Sequence, residues 1–535
     1  MPVALLLLLL PQGLGPSVYA RDRTFDLQHV KLDIALDPKA RLVSGSATLR
    51  LAPLNDGLAE VALDSVGLTI EAVTRDRRPL AFRTTAEQLL ISLDRAAPAG
   101  TPLELEIRYV ARPRKGLYFG ERYAWSQGFP ESQRHWFPVY DFPNDKATSE
   151  LVVRAPAGWD VVSNGRLIEA RDGVYHWLQD KPHSTYLISL AAGEFDRREE
   201  SFHGIPLRYY VPRGQAANIP VSFGRTASAM EFFTTRIGSY PWDQFAQVVV
   251  PENLYGGMEN TSAVTYSPAV LISPELVEDY QVSGDIVIAH ELAHQWFGDL
   301  VSAEDFRGLW LSEGFATYFA NLWSEHRHGA GLAAWERFRL ARRITDSPAM
   351  QKYPLLRRPN DQGDPVGLLY SKGAWVLHMV RSQLGDTLFW KAIRRYVADY
   401  RFQNVRTADL LKAIAAATGR NLEWLFDQYV YEPGHPEFEV RWRWDGRVHV
   451  FVRQQARIFR LPVDIELDGR RHRIQVTREA EEFALEAPAK PRLVLFDPDH
   501  SLLKKLTFAK ETAEWVDQLE HAPRTINRLE AIQAL

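Results

Sequence analysis

Apolar and polar residues alternate along the first part of the chain, up to about residue 195. Two segments show the alternation most clearly, and their apolar members are Val30, Leu32, Ile34, Leu36, Leu103, Leu105, Ile107 and Tyr109. A period of two residues is typical of a strand with one buried face. Turn signals such as Asn55-Asp56-Gly57 and Ser163-Asn164-Gly165 divide the region. The pattern predicts an N-terminal β domain over residues 21–195.

A helical period replaces the alternation over residues 196–435. Its clearest example is an apolar stripe formed by Ile286, Ala289, Ala293 and Trp296. Ser283 is suited to cap this helix at its N-terminus, and Gly298 is suited to end it. Further helices are expected after Asp386 and Thr407, each of which is suited to be an N-cap. The segment is therefore predicted to be a mainly helical domain.

The alternation returns over residues 436–508 and predicts a second, smaller β domain. Its apolar members include Phe438, Val440, Trp442, Val463, Ile465 and Leu467. The last stretch, 509–535, is predicted to form two short helical segments that separate near Pro523. Leu529, Ile532 and Leu535 share one face of the second segment. The stretch is either the start of a helical extension or a simple C-terminal helix that docks on the body.

The composition of the 535 residues excludes several classes of protein. Lys and Arg number 63 against 67 Asp and Glu, and this net charge of −4 gives no field that would favour nucleic acid. The mean hydropathy of −0.26 argues against a polytopic membrane protein. The chain has no cysteine, which excludes disulfides, thiolate metal sites and a cysteine nucleophile. Any metal must be held by histidines and carboxylates.

The first twenty residues are predicted to be a cleavable secretory signal. The apolar run Leu5 to Leu10 is too short to span a membrane, and Val18-Tyr19-Ala20 resembles a signal-peptidase site. On this prediction the protein is exported, either to a periplasm or out of the cell. The alternative is a start codon placed upstream of a cytoplasmic protein, because no Lys or Arg precedes the apolar run.

The helix with the apolar stripe carries His290-Glu291-Leu292-Ala293-His294. Residues four apart lie on one face of a helix, so both imidazoles can reach one ion. Zn²⁺ binds nitrogen and oxygen ligands in near-tetrahedral geometry, and a catalytic zinc site keeps one position for water. Glu313 follows after eighteen intervening residues, enough for a returning helix to bring its carboxylate opposite the histidines. The spacing predicts a zinc site, whereas the alternative is a histidine pair on a helix surface.

Glu291 lies beside the first predicted ligand and is the natural proton acceptor for a water at the metal. Bound zinc lowers the pKa of such a water from 15.7 to about 7. The predicted general base is therefore Glu291, and its alternative role is that of a hydrogen-bond partner to a metal ligand.

A second cluster, Gly256-Gly257-Met258-Glu259-Asn260, precedes the histidines by about thirty residues and follows the strand-like Val248-Val249-Val250. Paired glycines allow another backbone to approach closely, so an extended peptide can add to this edge through main-chain hydrogen bonds. The carboxylate of Glu259 can bind a cation. Taken alone, the pattern is also that of an ordinary turn.

Together these residues resemble a known family. The two histidines with Glu291, the gap to Glu313 and the segment 256–260 resemble, in order and spacing, the aminopeptidase N family of zinc peptidases, gluzincins that include leukotriene A4 hydrolase. Supporting pieces are Gly116-Leu117-Tyr118, Phe137-Pro138 with Asp141, Ser163-Asn164-Gly165, Gly193-Glu194-Phe195, Tyr240-Pro241-Trp242, Trp310-Leu311-Ser312-Glu313-Gly314-Phe315-Ala316 and Tyr370-Ser371-Lys372-Gly373-Ala374. The resemblance covers roughly residues 25–508.

The resemblance implies a multi-domain α+β fold. Its parts are a saddle-like N-terminal β domain, a thermolysin-like, mainly helical catalytic domain, a small β-sandwich and a helical C-terminal domain. Only residues 509–535 remain for the last of these, so a residual C-terminal helix is expected here. Either the active site is more open than in long members of the family, or the chain is shortened.

The resemblance also implies roles for single residues. One zinc ion per chain is held by His290, His294 and Glu313, and Glu291 is the general base. Tyr370 donates a hydrogen bond to the oxyanion of the tetrahedral intermediate, a contribution of ~10² to 10³ in rate. The implied substrate-binding residues are Gly256, Gly257, Met258, Glu259 and Asn260, among which Glu259 binds the free α-amine of the peptide.

One position departs from the family's pattern. Counting back from Phe137-Pro138 without a gap matches Ser126-Gln127 to the family's Thr/Ser-Gln, but it places Phe129 where members usually carry a second Glu or Gln for the amine. Either Glu131 takes over this role or Glu259 binds the amine alone.

We therefore expect a zinc-dependent aminopeptidase that hydrolyses the N-terminal residue from peptides by metal-activated water. Its expected partners are peptides with a free N-terminus, and neither nucleic acid nor a stable membrane span is expected. One alternative is a thermolysin-like endopeptidase or a peptidase that also opens an epoxide, which would cut an N-acetylated peptide as well as a free one. A non-catalytic, zinc-containing interaction protein is the other alternative, and the intact Glu291 and Tyr370 speak against it.

Overall fold

The structure is a computed structural model that describes residues 20–251, 256–357 and 367–535. The predicted signal segment, 1–20, lies outside these ranges except for Ala20. Residue contacts divide the chain into two compact units, Met1–Ser312 with Arg394–Leu410 and Glu313–Ile393 with Leu411–Leu535. The first division falls inside one continuous helix, Trp310–His328.

The N-terminal part of the first unit consists of strands, as the alternation predicts. They are β1 (Phe25–Asp37), β2 (Leu42–Pro53), β3 (Leu58–Asp64), β4 (Leu68–Arg75), β5 (Arg78–Pro79), β6 (Phe82–Thr84), β7 (Gln88–Ala97), β8 (Leu103–Ala111), β9 (Leu117–Phe119), β10 (Tyr123–Ser126), β11 (Lys146–Arg154), β12 (Asp160–Ser163), β13 (Arg166–Arg171), β14 (Val174–Ser184) and β15 (Leu190–Gly193). Val30, Leu32 and Ile34 of β1 are fully buried, which is why one face of this strand is apolar.

These strands form three sheets within the described residues. The largest has the order β13-β14-β11-β1-β2-β8-β4-β5, and the others are β3-β7-β6 and β12-β15-β10-β9. Strands β1 and β2 are antiparallel, with Leu32 opposite Ala47, whereas β1 and β11 are parallel. Because β1 lies between β2 and β11, its apolar side chains pack in the middle of the sheet.

The segment that follows contains the predicted helices together with further strands. The strands are β16 (Phe195–Phe202), β17 (Ile205–Pro212), β18 (Phe245–Val249), β19 (Gly257–Met258), β20 (Ala263–Tyr266), β21 (Val301–Ala303) and β22 (Gln403–Val405). The helices are α1 (Ile219–Phe223), α2 (Thr226–Arg236), α3 (Val277–His294), α4 (Trp310–His328), α5 (Ala330–Thr345), α6 (Gly367–Leu384), α7 (Asp386–Asp399), α8 (Thr407–Thr418) and α9 (Glu423–Phe426), and a π-helical turn covers Asp427–Tyr431.

A sheet of order β16-β17-β18-β20-β19 precedes α3, and of it the sequence indicated only the strand-like segment at Val248-Val249. Strands β17, β18 and β20 are parallel, and β18 is buried along its whole length. Strands buried on both faces have no polar alternation, so the period of two is absent from β18.

Helix α3 confirms the helix predicted from the apolar stripe, but both predicted ends are wrong. The helix begins at Val277, and Ser283 lies in its interior, where its hydroxyl donates to the carbonyl of Tyr280 at 2.8 Å. At the other end α3 stops at His294, and Gly298, with a φ of 125°, lies one turn further along. The C-terminal end of the helix thus lies four residues before the predicted stop signal.

The second unit contains a pair of small sheets. Its strands and last helices are β23 (Glu437–Trp444), β24 (Val448–Gln455), β25 (Leu461–Leu467), β26 (Arg470–Val476), β27 (Ala480–Leu485), β28 (Val494–Phe496), β29 (Lys505–Ala509), α10 (Thr512–His521) and α11 (Thr525–Ala534). The sheet orders among the described residues are β27-β24-β23-β29 and β26-β25-β28. The rings of Phe438 and Phe496, one from each sheet, meet edge to face at 5.3 Å.

The two C-terminal helices break next to Pro523, as predicted. Ile526 and Leu529 of α11 pack against Ala334 and Phe338 of α5. Ile532 and Leu535, expected on the same face as Leu529, are 58% and 55% exposed. The predicted domain limits at residues 195, 435 and 508 stay predictions. None of the helices in the described ranges combines the length and the apolar character that a bilayer span needs.

Candidate active site

Helix α3 brings the two predicted histidine ligands together. The Nε2 atoms of His290 and His294 lie 3.0 Å apart, and the two rings are nearly perpendicular, at 83°. Two imidazoles that share one tetrahedral zinc ion have nitrogens roughly 3.3 Å apart. The i, i+4 spacing on the helix therefore produces the geometry that the sequence predicts.

The far side of the His294 ring is held by the residues that follow α3. Nδ1 lies 3.1 Å from the carbonyl oxygen of Phe297 and 3.0 Å from the hydroxyl of Ser312. Because a carbonyl oxygen only accepts, Nδ1 carries the ring proton. The lone pair of Nε2 is then left to face His290, which is the tautomer that a metal ligand needs.

Glu313 lies in the first turn of α4, next to Ser312. One ligand atom from each of His290, His294 and Glu313 lies within 4.8 Å of the others. Two imidazole nitrogens and one carboxylate oxygen at this separation form the donor set of a catalytic zinc site, so these residues fit the ion.

Helices α4 and α6 approach closely beside Glu313, because two glycines face each other. A Cβ added to Gly314 would lie 2.8 Å from the Cα atom of Gly373. This contact brings Tyr370 of α6 to the site, where its hydroxyl donates to Oε1 of Glu313 at 2.8 Å. The resemblance predicts Tyr370 at the site, and its distance to a ligand agrees with that placement.

Glu291 is 6% exposed and touches the edge of the five-stranded sheet. A Cβ on Gly257 would lie 2.2 Å from Oε1 of Glu291, so a larger residue here would displace the Glu291 carboxylate. Gly257 and Met258 form β19, which pairs with β20 on one side and is the last strand of its sheet among the described residues. Its other side is thus an edge to which an extended peptide can add.

Glu259 follows this edge strand and is 8% exposed. Ligand atoms of Glu259, Glu291 and His294 all lie within 4.8 Å of one another. Gly256 is exposed before the strand, and Asn260 is buried after it, with Nδ2 donating to the hydroxyl of Thr265 at 3.2 Å. The structure therefore brings Glu259 of the predicted substrate-binding segment to the predicted zinc ligand His294 and to Glu291.

Phe129 packs in an aromatic cluster beside this segment. Its ring lies 5.9 Å from that of Tyr186 and 6.0 Å from that of Phe306, and it contacts Met258. The carboxylate of Glu131 forms an ion pair with Arg134 at 2.8 Å. Phe129 thus has an apolar role at the site, and Glu131 is engaged by a neighbouring guanidinium.

Sequence reasoning did not identify two buried ionisable residues near the site, Lys146 and Asp299. Lys146, from the N-terminal strand β11, donates to the carbonyls of Asp299 and Leu300 at 2.8 and 3.0 Å. Burial lowers the pKa of Lys146 to about 7. Burial, together with the nearby Glu259, raises the pKa of Asp299 well above its ordinary value. No local pattern marks either residue, since 153 positions separate them.

A histidine pair and a glutamate on adjacent helices, beside an edge strand, define the class of zinc metallopeptidases with the His-Glu-x-x-His motif. The model of the peptidase M1 N-terminal domain matches residues 26–187, and that of the peptidase family M1 domain matches residues 221–429. Together they match well over half of the chain, and the chain belongs to peptidase family M1. The expected multi-domain α+β fold is confirmed, with an N-terminal β-rich part, a helical catalytic domain and C-terminal β sheets.

Known proteins are similar over much of the chain. Aminopeptidase N of Streptomyces lividans is 27% identical over 483 residues, which are 85% of this chain and 56% of that protein. The crystal structure of an M1 zinc metallopeptidase from Deinococcus radiodurans, 25% identical, has a TM-score of 0.66 and covers 75% of this chain and 92% of that one. Legionella pneumophila aminopeptidase A, crystallised with aspartic acid, has a TM-score of 0.83 and covers 96% of this chain and 63% of that one. At 21% identity, the last likeness shows the fold alone. This chain spans little more than half the length of the curated relatives it matches.

Proposed function

We propose that this protein is a zinc aminopeptidase that hydrolyses the first peptide bond of substrates with a free N-terminus. One observation carries the proposal: a carboxylate oxygen of Glu259 lies within 4.8 Å of both a carboxylate oxygen of Glu291 and a ring nitrogen of His294. In a peptide, the α-amine nitrogen and the carbonyl carbon of the same residue are roughly 2.5 Å apart. An amine bound to Glu259 therefore leaves the first carbonyl, and not a later one, within reach of the metal and the base.

Zinc held by His290, His294 and Glu313 would polarise the scissile carbonyl and lower the pKa of a water. Glu291 takes the proton from the attacking water and returns it to the departing amine. Its contact with Gly257 supports this role, because it places the base beside the edge strand along which the substrate backbone is proposed to bind.

Tyr370 stabilises the negative charge that develops on the carbonyl oxygen. Its hydroxyl, 2.8 Å from Glu313, is close enough to turn from that carboxylate to the oxyanion. A single donor of this kind contributes roughly 10² to 10³ in rate.

The substrate backbone binds along β19, and Glu259 supplies the amine-binding charge without a second carboxylate at position 129. The ion pair of Glu131 with Arg134 supports this view, because a carboxylate already paired with a guanidinium attracts a second cation less strongly. The aromatic ring of Phe129 provides apolar surface instead.

The proposal is tested with aminoacyl-anilides and their N-acetyl forms, offered to the full chain with and without a zinc chelator. Much faster hydrolysis of the free-amine substrates than of their N-acetyl forms, and loss of activity with the chelator, are the expected results. Equal hydrolysis of both forms would instead support an endopeptidase, and turnover that resists the chelator would remove zinc from the mechanism.

Two variants assign the roles. Glu291→Gln is expected to lower kcat by roughly 10² to 10⁴ while zinc stays bound. Glu259→Ala is expected to raise KM for free-amine substrates and to leave the slow hydrolysis of N-acetyl substrates unchanged. Glu278→Gln, an exposed substitution on the same helix, serves as the control.

We further propose that the protein is exported, on the basis of the apolar run at Leu5–Leu10 and the small residues before Arg21. N-terminal sequencing of the protein from its native cells is expected to find Arg21 as the first residue. A protein that begins at Met1 in the cytoplasm would overturn this assignment.

A further inference from the structure

The turn that follows Glu259 is held from two sides by buried polar side chains that take no part in the proposed reaction. Gln295, directly after the ligand His294, is 0% exposed, and Asn164, between β12 and β13, is 1% exposed. Thr261 and Ser262 lie between these two side chains and are themselves buried. A buried amide is retained where its hydrogen bonds are satisfied, so the bonds of these two residues identify what they hold.

Gln295 holds the turn from the side of the metal-binding helix. Its Oε1 accepts from the backbone N–H of Ser262 at 2.8 Å, and its Nε2 donates to the carbonyl oxygen of Glu259 at 3.3 Å. Gln295 is itself fixed, because its own carbonyl accepts from the indole of Trp242 at 3.0 Å. The residue after one zinc ligand is thus bonded to the backbone of the amine-binding residue.

Asn164 holds the same turn from the side of the N-terminal strands. Its Nδ2 donates to the carbonyl of Thr261 at 2.6 Å and to that of Leu187 at 2.9 Å, and its Oδ1 accepts from the N–H of Ser189 at 2.7 Å. The N–H of the next residue, Gly165, donates to the hydroxyl of Ser262 at 2.7 Å. The turn signal Ser163-Asn164-Gly165, which links two different sheets, thus also contacts the turn after Glu259.

Ser262 has a φ of 61°, in the left-handed region that residues with a side chain seldom adopt. Such a conformation persists only where the surroundings fix it. At Ser262 they do so on both sides, since its N–H is bonded to Gln295 and its hydroxyl to Gly165.

We propose that Gln295 and Asn164 are positioning residues for the α-amine subsite: they clamp the Glu259–Ser262 turn and so fix the distance between the Glu259 carboxylate and the metal ligands. This inference rests on the proposed aminopeptidase function. It adds that selectivity for a free N-terminus depends on a hydrogen-bonded clamp outside the substrate's reach. A misplacement of about 1 Å from such a remote change can cost up to about a hundredfold.

The test is Gln295→Met in the full, zinc-loaded chain, since methionine is similar in length and removes the bonds to Ser262 and Glu259, together with a longer one from the hydroxyl of Tyr240 at 3.4 Å. Its matched control is Gln454→Met in β24. Gln454 is equally buried, at 2% exposure, and its side chain likewise donates to and accepts from backbone groups, those of Phe459 and Arg478. Each variant is assayed with a free-amine aminoacyl-anilide and its N-acetyl form, with bound zinc measured in the same samples.

Gln295→Met is expected to raise KM for the free-amine substrate roughly ten- to hundredfold, with a smaller change in kcat. Zinc content and the hydrolysis of the N-acetyl form are expected to stay as in the wild type, so the ratio of the two rates falls. A merely structural role would lower both rates together with the folded fraction. If Gln295→Met folds and distinguishes the free-amine from the N-acetyl substrate as well as Gln454→Met does, the proposed clamp is wrong.

A wild-type protein that does not distinguish the two substrates overturns the proposed function instead, so the two failures are separate. Where Gln295→Met does not fold, Ser262→Ala gives a milder test, because it removes only the bond from Gly165. Its selectivity is expected to fall in the same direction by a smaller factor. Unchanged selectivity in folded Ser262→Ala would likewise overturn the clamp.

Discussion

At the scale of single residues, the surroundings of His294 decide which of its nitrogens can bind a metal. The carbonyl of Phe297 and the hydroxyl of Ser312 both lie at Nδ1, at 3.1 and 3.0 Å. A ring held in this way presents Nε2 without the need to reorient, which favours metal binding. Ser312 also precedes Glu313, so one helical turn supplies both a predicted ligand and the support for another.

Ser312→Ala is expected to weaken zinc binding roughly 10- to 100-fold. The ring of His294 loses one of two partners at Nδ1, and its orientation becomes less fixed. Competition with a chromophoric chelator measures the zinc Kd of the purified protein. Ser324→Ala, a buried serine on the same helix, is the control, and an equal loss of affinity in both variants would contradict the role given to Ser312.

At the scale of elements, the backbones of α4 and α6 pack directly against each other at Gly314 and Gly373. On α4, Glu313 directly precedes Gly314. On α6, Tyr370 lies three residues before Gly373. The positions of both are thus coupled to the spacing between the helices.

Gly314→Ala is expected to destabilise the protein by about 1 to 3 kcal/mol, because its Cβ would meet the backbone of α6. The same push separates Glu313 from Tyr370 and is expected to lower kcat. Urea unfolding and steady-state kinetics measure the two effects. Gly331→Ala, on the open side of α5, is the control and is expected to be neutral or stabilising by up to about 1 kcal/mol. If Gly314→Ala left the free energy of unfolding unchanged, the two helices would be able to move apart without loss of stability, contrary to this prediction.

An ion pair contributes to the packing of α11 within the second unit. Oε1 of Glu530 lies 2.6 Å from Nε2 of His500. Burial alone would raise the pKa of Glu530, but His500, Lys504 and Lys510 outweigh it and hold this pKa below its ordinary value. A carboxylate with a lowered pKa stabilises the folded state above its unfolded pKa of about 4.3, and that contribution disappears as the pH falls through the folded pKa.

Glu530→Gln is therefore expected to be less stable than the wild type at pH 7, and the difference is expected to shrink as the pH falls below about 4. Equilibrium unfolding at a series of pH values measures it. Glu520→Gln, an exposed substitution on α10, should show no such dependence. A difference for Glu530→Gln that stays constant with pH would contradict the assignment.

At the scale of the whole molecule, zinc is expected to stabilise the fold as well as to serve the reaction. A ligand that binds only the folded state adds RT ln(1 + [L]/Kd), about 2.7 kcal/mol at a hundredfold excess over Kd. The three predicted ligands come from α3 and α4, which are separated in sequence by 15 intervening residues, and an unfolded chain does not hold them together.

The melting temperature is expected to rise with free zinc and to fall when a chelator is added. Calorimetry at fixed protein concentration and graded zinc checks this, with His294→Ala as the control that should lose the response. A melting temperature of the wild type that is independent of zinc would contradict a folded-state site.

The sequence by itself determined the features that depend on local periodicity or on spacing within a helix. Alternation in β1 and β8 and the His-Glu-x-x-His pattern each report which side chains share one face, and the structure has them so. Of the predicted stripe of α3, Ile286 is only half-buried and Trp296 lies beyond the end of the helix. The predicted ends of α3 were wrong because the ends of a helix depend on contacts with other elements. The fold class was predicted from the resemblance to a known family, which rests on motifs spread along the chain.

Only the tertiary structure decided how residues distant in sequence support the site. The approach of Gly257 to Glu291, the bonds of Gln295 to the Glu259 turn and the reach of Lys146 to Asp299 join separate elements. No pattern within a strand or helix encodes such pairs, because side-chain periodicity reports a residue's own face and not its partner. The sequence thus specified the reactive groups, whereas packing set the distances at which they can act.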